Sequence, residues 1–128
     1  MTEIVRCPCG SGEGLAACCG RYLSGEAAAP TARALMCSRY TAFAVGDVDY
    51  LRATWHPRTR PAVLELDPDQ RWLHLTVEAV GGGGPFDPEG TVEFTAVYRD
   101  GAGRGRLHEL SRFVREGGRW FYVDGDLD

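Results

Sequence analysis

The apolar positions of this chain change their period part-way along. Over residues 31–45, Leu35, Met36, Tyr40 and Phe43 recur at helical spacing. Thr31 can cap the start of that helix and Gly46 its end. Asp47 caps a second, shorter helix over Val48 to Trp55, stopped by Pro57. Pro57, Pro61 and Pro68 punctuate the next stretch, in which Ala62 to Leu66 reads as a short helical turn or a strand. After Asp69 the period becomes two. Arg71 to Val80 alternates, with Leu73, Leu75, Val77 and Ala79 on one face. Gly81 to Gly84 with Pro85 form a hinge or hairpin loop. No Lys or helix start follows it, so it is not a phosphate cradle. Thr91 to Arg99 puts Val92, Phe94, Ala96 and Tyr98 on one side. Gly101 to Gly103 turns into Arg106 to Arg115, and Glu116 to Gly118 into Arg119 to Asp124. Helices followed by an antiparallel meander predict an α+β class, and a curved sheet wrapped this way makes a cone with a cavity at its wide end.

The third strand carries the candidate chemistry of that cavity. Leu107, Glu109, Ser111 and Phe113 share one face, and the two large apolar residues mark it as inward. A carboxylate on that face is costly unless paired or hydrogen-bonded. Arg39, among apolar helix residues, is the natural partner. The expectation is an Arg39–Glu109 pair with Ser111 beside it, and an aromatic wall of Tyr40, Trp55, Trp120 and Tyr122. Such a pair more often ties a helix to a sheet than takes part in a reaction. His56 is a candidate base at the pocket mouth, without an evident partner. Trp72 reads as core, like Trp120, while His74 and His108 read as outward. Cys37 reads as a small buried apolar residue away from the other cysteines. Asp124, Asp126 and Asp128 read as solvated surface.

Ahead of the first helix, Ala27-Ala28-Ala29-Pro30 is a flexible bridge, dividing the chain into residues 1–26 and 27–128. Four of the five cysteines lie before it: Cys7, Cys9, Cys18 and Cys19. Two close pairs separated by a short loop can gather four sulfurs around one ion. The alternatives are a pair of disulfides or a reactive vicinal Cys18–Cys19 pair. A disulfide between adjacent residues is strained, and clustered cysteines without a secretion signal more often bind metal. Zinc is the expected ion, with iron the other fit to four thiolates.

Composition narrows the function classes. The chain has 128 residues, enough for one domain with a small appendage. It lacks an apolar run of membrane-spanning length and a signal-peptide pattern at Met1 to Arg6, so the expectation is a cytoplasmic protein. Eighteen acidic residues oppose fourteen basic ones, giving a net charge of −4. Without a basic block, direct DNA binding is not expected. Every basic residue is Arg, so Schiff-base and phosphate-loop lysine chemistry is excluded.

Two resemblances sharpen this reading. Cys7-Pro8-Cys9-Gly10-Ser11-Gly12 followed by Cys18-Cys19-Gly20 resembles the SEC-C zinc motif, which implies all four cysteines as ligands. In the SecA translocation ATPase that motif binds the SecB chaperone through neighbouring basic residues. Here Glu13 stands near it, with only Arg6 and Arg21. The body resembles the YchJ family of uncharacterised bacterial proteins. The resemblance rests on the run Met36 to Phe43, then Gly46 to Leu51, Thr54 to Pro57, Gly90 to Ala96, Glu109 to Phe113 and Gly118 to Gly125. It implies a nuclear-transport-factor-2-like cone; the second, C-terminal knuckle of some members is not expected.

Three functional classes follow. The first is a zinc-binding accessory protein whose knuckle recruits a protein or ribosomal partner. The second is a small-molecule binder or lyase- or isomerase-like enzyme using the cone. No pair of inward titratable groups divides acid from base roles, which leaves catalysis open. The third is a zinc-stabilised homodimer without chemistry of its own.

Overall fold

The computed structural model describes residues 5–128. A 3-10 turn, Leu15–Ala17, leads into α1, Gly20–Leu23. Helices α2, Ala32–Val45, and α3, Val48–Ala53, follow. The strands are β1, Arg71–Gly82; β2, Glu89–Asp100; β3, Gly103–Glu116; and β4, Arg119–Leu127. They form one antiparallel sheet in the order β1-β2-β3-β4, so each strand pairs with its neighbour in sequence. The α+β class and the helix-then-meander order are as the hydrophobic pattern predicts. Residues 61–67 take neither helix nor strand. Among the described residues, no helix is long and apolar enough to cross a membrane.

Both helix starts are capped as their sequences dictate. The Thr31 hydroxyl accepts from the Ala34 amide, and the Asp47 carboxylate from the Tyr50 amide. Gly46 closes α2 with φ 80°. Helix α3 stops at Ala53, two residues short of expectation. Trp55 leaves it to form a single parallel bridge with Tyr122 of β4.

The core lies between α2 and the concave face of the sheet. Leu35, Met36 and Tyr40 pack against Val92, Phe94, Ala96 and Phe113. On β1 the alternation departs from the sequence reading. Bulges fall between Trp72 and His74 and between Val77 and Ala79. Each inserts one residue and reverses the phase of the side chains beyond it. Trp72, Leu75 and Val77 therefore pack inward, while Leu73 is 43% exposed. Trp72 stacks edge-on to Tyr40 and Tyr98, with ring centroids at 6.0 Å and 5.5 Å.

The glycine-rich loop closes the sheet onto α2. The Ala32 amide donates to the Gly83 carbonyl at 3.0 Å. Gly90 lies so close to Gly83 that a Cβ on it would stand 2.4 Å from the Gly83 Cα. On the convex face His108 is clasped by Glu93 at 2.8 Å, Glu78 at 3.2 Å and Asp128 at 3.3 Å. Arg112 pairs with Asp124 and Asp126, at 2.5 Å and 2.9 Å. Asp124, Asp126 and Asp128 are exposed, as expected of solvated surface, and each faces a basic side chain. The Glu93 hydrogen bond raises the His108 pKa above its ordinary value, assisted by the charges of Glu78, Glu93 and Asp128.

Two outcomes follow. Gly90→Ala forces backbone apart and should destabilise by about 1–3 kcal/mol in chemical unfolding. Gly101→Ala, which meets nothing within 4 Å, should stay within about 0.5 kcal/mol; equal losses would refute the close approach. His108 carries a raised folded pKa, so its contribution is complete below about pH 6.5 and fades as pH rises through the folded value. The stability gap between the wild type and His108→Ala should narrow across that window. A His108 titration midpoint by NMR at or below about 6.5 would contradict the clasp.

Candidate functional site

Between α2, Trp55 just after α3, and the sheet lies a cavity of about 390 Å³. That is within the range of small-molecule pockets. Its walls are mostly apolar: Met36 and Phe43 from α2, Trp72 from β1, Phe94 and Ala96 from β2, and Leu107 and Phe113 from β3. The polar lining is confined to Arg39, Gln70, Glu109 and Ser111, with the hydroxyls of Tyr40, Tyr98 and Tyr122.

Arg39 sits on the third turn of α2, pointing at the sheet with the apolar face. It is only 5% exposed. Its Nη1 donates to the Leu51 carbonyl and to the Thr54 Oγ1, both at 2.7 Å. The guanidinium lies over Tyr122, with Cζ 4.7 Å from the ring centroid, and over Trp55 at 5.1 Å. Both contacts are cation–π arrangements. Burial pushes its pKa down to about 10, against the pull of Tyr122, Tyr50 and Glu109, so it is still a cation at neutral pH. Among the described residues its hydrogen bonds are these two, both from Nη1.

Glu109 does not pair with Arg39 as expected. Its Oε2 accepts from the Ser111 hydroxyl at 2.7 Å and its Oε1 from the Tyr122 hydroxyl at 3.1 Å. Tyr122 stands between the two charges, its ring under Arg39 and its hydroxyl on Glu109. Burial raises the Tyr122 pKa, as does the Glu109 carboxylate, so the phenol stays protonated and donates. Two glycines missed in the sequence make the seats. A Cβ on Gly125 would fall 2.4 Å from the Glu109 Oε1, and one on Gly105 would fall 2.4 Å from the Tyr98 ring. Those glycines clear the strand surface where cavity side chains lie flat. Gln70, Tyr98 and Leu127 also line the cavity and were not foreseen.

Of the residues expected in the pocket, Arg39, Tyr40, Trp55, Glu109, Ser111 and Tyr122 line it. His56 and Trp120 do not. Trp55 and His56 are consecutive in an extended segment bonded to β4, so their side chains leave on opposite sides. His56 turns to Glu116, Nε2 to Oε2 at 2.9 Å, and packs edge-on to Phe121. Trp120 shares the Tyr122 face, two residues nearer the turn, where the start of α2 covers it. Its indole donates to the Pro30 carbonyl at 3.2 Å. The Trp55 indole N–H is buried without an acceptor, and Tyr122 meets that ring edge-to-face at 5.1 Å.

The N-terminal cysteines form a second cluster. The sulfurs of Cys7, Cys9, Cys18 and Cys19 all lie within 4.8 Å of one another. Cys9 and Cys18 are 3.7 Å apart, far beyond the about 2.05 Å of a disulfide. Four thiolates at about 2.3 Å from one ion would be about 3.8 Å apart. The set could hold a metal. The Cys7 sulfur is 3.6 Å from the Thr41 hydroxyl of α2, and Cys18 is 3.2 Å from Ser11. Burial alone would raise the Cys7 thiol. Hydrogen bonding by the Cys9 amide, Thr41 and the Cys19 amide outweighs it and brings the pKa down to about 7. Burial drives Cys19 up instead. Cys37 is not remote from the knuckle: it lines the same surface hollow as Cys9, Cys18 and Cys19, one face of α2 being turned to them. Burial raises its thiol to about 11.

The known proteins that this chain resembles match both halves. Residues 6–21 match the SEC-C motif, and residues 31–125 match the YchJ middle, NTF2-like domain. A UPF0225 protein of Chromobacterium violaceum is 57% identical, over 93% of this chain and 90% of that protein. One from Streptomyces coelicolor is 55% identical over 94% of both. In solution structure, a SEC-C motif containing protein from Rhodopseudomonas palustris superposes with a TM-score of 0.82 at 35% identity, covering 94% of this chain and 96% of that one. A crystal structure of a SEC-C motif containing protein from Psychrobacter arcticus gives 0.77 at 25% identity, over 95% and 82%. With its SEC-C cysteines gathered at one end and an NTF2-like cone at the other, the chain belongs to the YchJ, or UPF0225, family.

Proposed function

We propose that this chain is a small-molecule-binding protein whose cone cavity is the working site. Its knuckle, loaded with Zn²⁺ on Cys7, Cys9, Cys18 and Cys19, clamps residues 1–26 onto the receptor body of residues 27–128. The observation that carries the reading is Arg39. A guanidinium at 5% exposure that lines an apolar cavity of about 390 Å³ and bonds only through Nη1 leaves Nε and Nη2 for whatever occupies that cavity. Structural arginines of this kind normally spend their donors on backbone and carboxylates. This one uses only Nη1, and a carboxylate in the same cavity is held off by Tyr122. The reading stops at binding, because the two groups on Glu109, the Ser111 and Tyr122 hydroxyls, both donate to it.

Zinc fits the donor set: four sulfurs within 4.8 Å of one another and no ligand of another type, which is the pattern of a structural site. Buried Cys7 and Cys19 and the Thr41 contact make the knuckle part of the packed body. Recruitment of a protein or ribosomal partner is the second reading. It is favoured by the exposed Gly10 to Glu13 loop beyond the ligands.

A fragment screen followed by amide chemical shifts tests the first reading. Hits should perturb Arg39, Trp55, Phe94 and Tyr122, and the cavity-filling Ser111→Leu should remove them while leaving the fold. Hits that survive in Ser111→Leu would place binding elsewhere. For the metal, Cys9→Ser should lower bound zinc from about one ion per chain to near zero by elemental analysis. Undiminished zinc would overturn the assignment.

A further inference from the structure

Among the residues that line the cavity there is one cation, Arg39, and one acid, Glu109. They are not paired with each other. Tyr122 separates them, its ring 4.7 Å from the Arg39 Cζ and its hydroxyl 3.1 Å from Glu109. Each charge is only partly satisfied. Arg39 bonds to the described residues through Nη1 alone, leaving Nε and Nη2 for a ligand. Glu109 accepts one hydroxyl on each oxygen, while a carboxylate has about four lone-pair sites.

A purely anionic ligand would meet Arg39 but bring its charge towards Glu109. A purely cationic one would meet Glu109 and be repelled by Arg39. A neutral apolar ligand would fill the walls and leave both charges desolvated and unmet. A molecule that carries an anionic and a cationic group close together complements both and offsets both charges. The rest of its body must be apolar, to lie against Phe43, Trp72 and Phe94.

We infer that the cavity selects a small zwitterion with an apolar or aromatic body, an α-amino acid or a close amino-acid derivative. Its carboxylate is held by the free edge of Arg39 and its ammonium by Glu109. The inference rests on the cavity being the binding site.

The test uses four probes of one shape with the full-length, zinc-loaded chain: phenylalanine, 3-phenylpropanoate, phenethylamine and phenylalaninamide. Affinity is read by calorimetry and the site by amide chemical shifts. Phenylalanine should bind at least about tenfold more tightly than each single-charge analogue. Glu109→Gln, which keeps the shape and removes the charge, should bring phenylalanine down to the level of 3-phenylpropanoate. It also avoids depending on Arg39 variants, which remove the bonds that tie α2 to the end of α3. Equal affinities within the panel, with shifts in the cavity, would overturn the zwitterion and keep the cavity as a site. Binding that persists in Ser111→Leu would bring down the cavity reading itself. Absence of binding by phenylalanine up to about 10 mM would also overturn the inference.

Discussion

Burying a guanidinium is among the more expensive acts open to a domain of this size, and the arrangement around Arg39 is organised to meet that cost. Nη1 closes the end of α3 through the Leu51 carbonyl and Thr54. The flat faces of the ion are covered by Trp55 and Tyr122, which supply π density where water would have been. Those two rings are brought together by the short parallel bridge between the α3 exit and β4. One cation thereby fixes where α2, α3 and the last strand meet. The cavity exists because they meet around a planar ion rather than a branched apolar side chain that would have filled the space.

Helix α2 serves two sites with different faces. Met36, Arg39, Tyr40 and Phe43 look into the cavity. Cys37 and Thr41 look towards the knuckle, Thr41 directly onto the Cys7 sulfur. A helix of fourteen residues that also starts under the glycine-rich loop, through the Ala32 amide, has little surface left for solvent. This explains its weak contrast between polar and apolar faces: Ser38, Thr41 and Arg39 are buried along with Leu35 and Met36. Ser38 is answered locally by the Leu35 carbonyl and the Tyr50 hydroxyl, and Thr41 by the Cys7 sulfur.

Much of this was legible in the sequence. The caps at Thr31, Gly46 and Asp47 are short-range signals, and they placed both helices to within two residues. The cysteine spacing brought out the knuckle, and strict alternation on β3 put Leu107, Glu109, Ser111 and Phe113 on one face. What was hidden is what depends on tertiary geometry. The β1 bulges reverse Leu73 and Trp72, and nothing in the local composition marks them. Trp120 and Tyr122 share a face, yet only their distance along β4 decides which meets the cavity and which the start of α2. His56 was placed by proximity to Trp55, when adjacency in an extended segment sends neighbours to opposite sides. Cys37 was judged by sequence distance from the other cysteines, and the packing of the knuckle on α2 erased that distance.

The missed ion pair is the most instructive case. Opposite charges on the inward faces of a helix and a strand suggest direct pairing, because a desolvated carboxylate beside a desolvated guanidinium gains most at contact. Direct contact, however, would neutralise the two groups and leave nothing for a ligand. Here the carboxylate is satisfied by two hydroxyls, and the cation by one edge of backbone and side-chain oxygen plus two rings. Gly125 makes this possible, since any side chain at that position would push Glu109 off β4 and change its distance from Arg39. The separation is built by three features at once: a tyrosine between the charges, a serine beside one, and a glycine beneath it. A merely structural tie needs none of them, because the pair alone would join helix to sheet.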